Sequence, residues 1–152
     1  MSYYEKTIIA SYNALMPLCT QLETVIKQKA KNSYYNYSPC YNQANEILKL
    51  VEVRLDLLEL KSLIDEALSK LSFEDSFLIK YKYLGVKPDF EFDHTSRNYF
   101  RKQVKAIEKF KKALVSIGVT EEWFTKRYLG IAYFKCLDKK IKNEEGKKHV
   151  IY

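Results

Sequence analysis

The chain has 152 residues and a mass of 18.0 kDa, with 47% hydrophobic residues, 30% charged residues and a net charge of +7. That hydrophobic share excludes intrinsic disorder and suits one domain, or two small helical units sharing a core. Only four glycines and three prolines interrupt the sequence, so long elements rich in Leu, Lys and Glu are expected, and such elements are helices.

Ser2 and Glu5 have the spacing of a capping box for a first helix. From there Ile8, Tyr12, Leu15, Cys19, Leu22 and Ile26 alternate at four and three residues, a coiled-coil-like seam reaching about residue 31. Pro17 lies inside the pattern and removes a backbone donor, which predicts either one bent helix or two shorter ones. The tyrosine- and asparagine-rich stretch KNSYYNYSPCYN follows, and Ser38-Pro39 supplies a cap and a first-turn proline. A second helix to about Leu71 carries Leu50, Val53, Leu57, Leu60, Ile64, Ala67 and Leu71 on one seam. Leu48, Val51, Leu55 and Leu58 widen its apolar surface, so it needs more than one neighbour: the first helix, plus either the C-terminal part or a second copy of the chain.

Ser72 and Asp75 cap a shorter helix that Gly85 ends, and VKPDFEFDH is an acidic link. Thr95 or Ser96 then caps a helix closed by Gly118. On a helical wheel Phe100, Val104, Ile107, Phe110, Leu114 and Ile117 make its apolar stripe, and Arg97, Arg101, Lys105, Lys109 and Lys112 make a basic row on another face. Thr120, Glu121 and Glu122 start a last helix through Trp123, Phe124, Tyr128, Ile131, Ala132 and Lys135 to about Lys142, with Val119 and Phe124 at staple spacing. The residues NEEGKKHVIY read as a frayed, flexible tail.

The charge follows this order. Residues 1–72 carry eight Lys/Arg against eight Asp/Glu, residues 73–95 three against five, and residues 96–152 fifteen against six. The positive field therefore belongs to the C-terminal third and points to an acidic partner, such as a phosphate backbone or an anionic surface. A solvated basic face without function is the bland alternative. The three cysteines at 19, 40 and 136 form no close pair, which fits neither a disulfide framework nor a zinc knuckle. A reduced, cytoplasmic setting is expected, with Cys19 a small core residue. No apolar run approaches the roughly 18–20 residues of a membrane span, and the first residues lack the order of a signal peptide.

Catalytic signatures are missing: no GxGxxG or GxxxxGK[ST], no HExxH, and His94 and His149 far apart. Asp89, Glu91 and Asp93 lack the ligand count and central glycine of a calcium loop. No enzyme activity, metal or cofactor is expected.

From LSFEDSFLIKYKYLG through the link to SRNYFRKQVKAIEKF, the chain resembles the C-terminal helix-turn-helix region of bacterial sigma factors, in which a capped helix ending in glycine precedes a recognition helix opening Ser-Arg. The second helix is also similar to ArpU-type phage regulators of Firmicutes, at Ser96, Tyr99, Phe100, Arg101, Ala106 and Phe110. The resemblance covers about residues 71–118. It implies a DNA-binding transcription regulator of phage or mobile-element type, in which Arg97, Asn98 and Arg101 face bases while Tyr99, Lys102, Lys105, Lys109 and Lys112 serve the backbone. Phe100, Val104 and Ile107 would hold that helix against the preceding one. One departure is plain: where those families place a scaffold helix, only VKPDFEFDHT fills the space, so Phe90 and Phe92 are expected to plug the core instead.

The expected architecture is all-α: a long antiparallel helical hairpin (1–72) for dimerisation or docking, packed with a shortened three-helix, helix-turn-helix-like part (73–143), then the tail (144–152). Double-stranded DNA, RNA polymerase and a second copy of the chain are the expected partners, with no membrane. Two alternatives stand beside this. One is an interaction module whose degenerate motif no longer binds DNA. The other is membrane-surface binding through Trp123, Phe124 and Ile131, against which a core-facing role for those residues is weighed.

Overall fold

The computed structural model describes residues 3–35, 40–88 and 92–151. They form α1 (Tyr4–Tyr35), α2 (Cys40–Ser69), α3 (Phe73–Leu84), α4 (Arg97–Ser116), α5 (Glu121–Tyr128) and α6 (Ala132–Ile151), with no strand among the described residues. The fold is all-α. The expected caps at Ser2 and at Ser38-Pro39 lie outside the described residues. α1 is a single helix that runs unbroken through the exposed Pro17.

Two compact units share these helices: Asn13–Ser62, and residues 1–12 together with 63–152. The division falls inside α1 and α2, and the first turns of α1 and the last turns of α2 group with the C-terminal helices.

The smaller unit is a two-helix hairpin. Cys19 Sγ lies 3.8 Å from the Arg54 carbonyl, Glu23 meets Arg54 at 3.9 Å and Lys29 meets Glu46 at 3.2 Å. As the α1 number rises the α2 number falls, so the helices are antiparallel, as the short connection between Tyr35 and Cys40 requires. Leu15, Cys19, Leu57 and Leu60 are buried, and burial pushes the Cys19 thiol above its ordinary pKa. Leu48 and Leu55 remain 54% and 56% exposed, and Met16 and Val25 on α1 are also open. Part of the second apolar side of α2 is therefore uncovered.

The larger unit is built from caps that the sequence announces. Ser72, Ser96 and Thr120 each accept a hydrogen bond from the backbone three residues on, which stops α3, α4 and α5 from fraying at their starts. Gly85 (φ 71°) closes α3 in the left-handed conformation that glycine adopts without strain, and Gly118 (φ 89°) turns the chain after α4. The core gathers Ile8, Ile9, Ile64, Ile79, Phe110, Leu114, Phe124, Tyr128 and Phe134, all at 0% exposure.

The single last helix expected from Thr120 to Lys142 is instead α5 and α6, broken around Leu129, Gly130 and Ile131. The reason is packing. On one straight helix, residues 128 and 134 would lie about 120° apart around the axis and about 9 Å apart along it, so their rings would not meet. The break lets Tyr128 and Phe134 meet at 5.4 Å, with Phe124 stacked 5.5 Å from Tyr128. The break falls at Gly130, a residue that weakens a helix interior. Nor is the tail frayed over its described length: α6 continues to Ile151, and Glu145 makes a 2.8 Å ion pair with Lys6 in which both side chains are largely covered.

Beside that pair sits a strained carboxylate. Glu5 is 7% exposed, and its Oε2 has no hydrogen-bond partner, with the Lys111 ammonium 3.9 Å away. Burial raises its pKa above the ordinary range, against the pull of Lys111 and Lys6. The folded chain thus holds a proton at Glu5 more tightly than the unfolded chain. The ionised group costs stability at neutral pH, and the cost fades as pH falls through the folded pKa. Glu5→Gln is expected to raise stability by on the order of 1 kcal/mol at pH 7. The gain should vanish below the unfolded glutamate value of about 4.3. Thermal unfolding across pH checks both the sign and the window.

Candidate nucleic-acid interface

α4 and the turn before it hold every residue expected to meet nucleic acid. The turn is locally built: Asp93 accepts hydrogen bonds from the Thr95 amide (2.9 Å) and hydroxyl (2.7 Å), which hold its carboxyl below the usual range. Ser96 then accepts from the Tyr99 amide at 3.1 Å, and α4 begins. Of the three link acids, Asp89 and Glu91 lie outside the described residues, as does Phe90. No helix forms in 85–88 or 92–96, so the scaffold helix of the resembled families is absent among the described residues of the link.

α3 and α4 pack against each other with opposed directions. Tyr81 faces Tyr99, Leu78 faces Gln103 and Asp75 faces Lys109. Gln103, 4% exposed, donates from Nε2 to the Leu78 carbonyl at 2.6 Å and to the Tyr99 hydroxyl at 3.1 Å. The buried face of α4 is Gln103, Ala106, Ile107, Phe110, Ala113 and Leu114. The stripe read from the sequence is therefore corrected. Ile107 is buried as expected, but Phe100 and Val104 are 57% and 56% exposed and do not hold α4 against α3. A polar glutamine with its own hydrogen bonds takes the inward place, and Ala106 and Ala113 are small enough for close helix approach. Those two alanines, seven residues apart, were the available signal for the true stripe.

The expected DNA-contacting residues divide into three groups. Tyr99 is half-buried, its hydroxyl engaged by Gln103 and its ring 6.0 Å from Phe92, and burial raises its phenol pKa. Lys102 and Lys109 are paired with the acidic first turn of α3, at 2.9 Å to Glu74 and 3.1 Å to Asp75. Arg97, Asn98, Arg101, Lys105 and Lys112 are exposed, and the four cations among them form no ion pair with any described residue.

At the start of α4 the aromatic plug is half realised. Phe92 packs edge-on to Phe77 (5.5 Å) and Tyr81 (4.8 Å) and lies 6.1 Å from His94, an exposed residue. Beside it a cleft of about 390 Å3 opens between Phe73, Phe77, Tyr99 and Lys102, with Asn98 on its lining. In α5, Phe124 is fully buried and Trp123 is half-buried under the Arg127 guanidinium at 4.9 Å, so Phe124 is committed to the core rather than to a membrane surface. Among the described residues no helix is long and apolar enough to cross a membrane, and no His, Cys, Asp and Glu cluster could hold a metal ion.

Comparison with protein-family models, with curated proteins and with solved structures finds no match to this chain.

Gln103 and Lys102 are neighbours in sequence with opposite expected effects. Gln103→Ala removes a buried donor and is expected to cost about 1–3 kcal/mol. Lys102→Ala breaks only an exposed pair and is expected to cost under about 1 kcal/mol. Urea titration of both variants measures the contrast.

Proposed function

We propose that the protein binds double-stranded DNA through the exposed face of α4, as a non-enzymatic transcription regulator of phage or mobile-element type similar to sigma-factor region 4 and the ArpU-type regulators. The observation that carries this reading is the row Arg97, Arg101, Lys105 and Lys112: four exposed cations on one helix, unpaired among the described residues, while Lys102 and Lys109 beside them are neutralised by α3. A cation row that forms no ion pair among the described residues is poised to replace the counterions of a phosphate backbone. Arg97 and Asn98, in the first turn, supply the side chains that bond guanine and adenine in bidentate fashion. Tyr99, Lys102 and Lys109 carry less of the load, because each is already engaged.

The test is the salt dependence of binding to a generic A·T-rich duplex. A steep fall of log affinity with log salt is expected. The triple variant Arg97→Ala, Arg101→Ala, Lys105→Ala should flatten it by about 0.9 for each phosphate it no longer neutralises. Failure of the intact protein to bind at low salt would remove the reading.

A second reading, a helical interaction module, has its own observation in the hairpin unit. Leu48 and Leu55 stand seven residues apart on α2 and are both more than half exposed. A two-turn apolar spacing is what an isologous helix-helix contact uses. In this reading the basic helix faces an acidic protein partner rather than DNA, and the open face of α2 pairs with a second copy of the chain. Sedimentation at micromolar concentration is expected to give a dimer, and Leu48→Glu with Leu55→Glu a monomer. A monomeric wild type would remove the dimer.

A further inference from the structure

The displaced apolar residues of α4 belong to the same exposed surface as its free cations, and chemistry tells what they would meet there. Phe100 and Val104 are one turn apart and more than half exposed. Val104 follows Arg97 by two full turns and therefore lies on the same line of the helix, and Arg101 sits between Phe100 and Val104 in sequence and is also exposed. From Lys111 onward the stripe changes character, because Lys111 lies 5.6 Å over the Tyr4 ring. An open apolar pair thus stands in the first half of α4, the half that begins with Arg97 and Asn98, while Val115, 49% exposed, is open again in the last turn.

Exposed phenyl and isopropyl groups are disfavoured in water, and nothing charged or hydrogen-bonding in a DNA groove would reward them. One group in the major groove does: the C5-methyl of thymine, which apolar side chains contact directly. A surface of arginine, asparagine, phenylalanine and valine therefore matches a groove edged by phosphates and carpeted by methyls better than it matches a guanine- and cytosine-rich one. Charge complementarity sets DNA as the occupant, and the apolar pair sets its base composition.

We propose that Phe100 and Val104 are specificity-determining residues that read thymine 5-methyl groups. The inference rests on the DNA-binding reading above, and its test separates the two. Binding of the intact protein is measured to an alternating A·T duplex and to the same duplex with deoxyuridine in place of every thymidine. The two probes carry identical phosphates and identical hydrogen-bonding edges and differ only in the methyls. Each methyl buried is worth about four-fold in affinity, so the uridine duplex should bind the wild type about 4- to 15-fold more weakly. The double variant Phe100→Ala, Val104→Ala should bind the two duplexes equally, near the wild-type affinity for the uridine form. Both substitutions fall at exposed positions, and circular dichroism confirms that the variant is folded. Equal wild-type affinity for the two duplexes would overturn methyl reading and leave DNA binding in place. No binding to either at low salt would overturn both.

Discussion

The hydrogen bond from Gln103 to the Leu78 carbonyl decides what α4 can do. An amphipathic helix is free to roll about its axis until something fixes its rotation, and here the fixing group is polar. Because the amide is 4% exposed and donates at 2.6 Å into the middle of α3, any roll that buried Phe100 would strip the glutamine of its acceptor. The bond therefore holds Ile107, Phe110 and Leu114 inward and leaves Phe100 and Val104 in solvent. It also presents Arg97, Arg101 and Lys105 together on an open face. A leucine at 103 would pack as well and would lose this rotational choice.

The acidic opening of α3 works on the same helix by charge. Glu74 and Asp75 stabilise their own helix start, where the dipole is positive, and their carboxylates also reach Lys102 and Lys109. The field of α4 is thereby made asymmetric: neutral where it meets α3, positive away from it. Surface pairs of this kind add little stability, so their effect lies in shaping the potential that an anionic partner would meet.

Much of this was legible from residue types alone. The caps at Ser72, Ser96 and Thr120, the glycine at 85, the antiparallel hairpin and the bare link before α4 all follow from local rules, because a cap or a left-handed glycine depends on its immediate neighbours. The rotation of α4 was not, since binary patterning treats Phe and Val as inward and Gln as outward. In this helix a single buried glutamine, its Nε2 engaged by Leu78 and Tyr99, reverses that order over one turn. The break at Gly130 was carried by that glycine alone: the periodicity of Phe124 and Tyr128 continues smoothly across it, and the packing of Phe134 beside them appears only in three dimensions. The Lys6–Glu145 contact of α6 past residue 143 was hidden as well, because the partner lies far off in sequence.

That last pairing orders events in time. Lys6 and Glu145 are brought together across nearly the whole length of the chain, and Tyr4 reaches the Val119 carbonyl at 3.2 Å. Contacts this distant in sequence form late, because the loop they close is long. Ile8 and Ile9, fully buried in the finished protein, belong to the unit that holds α3 to α6, so an emerging chain exposes them until residues far towards the C-terminus are made. For that interval a short, strongly apolar segment is without its core. The four residues from Tyr4 to Thr7 place a glutamate and a lysine beside it, the kind of flanking charge that keeps a waiting segment from self-association.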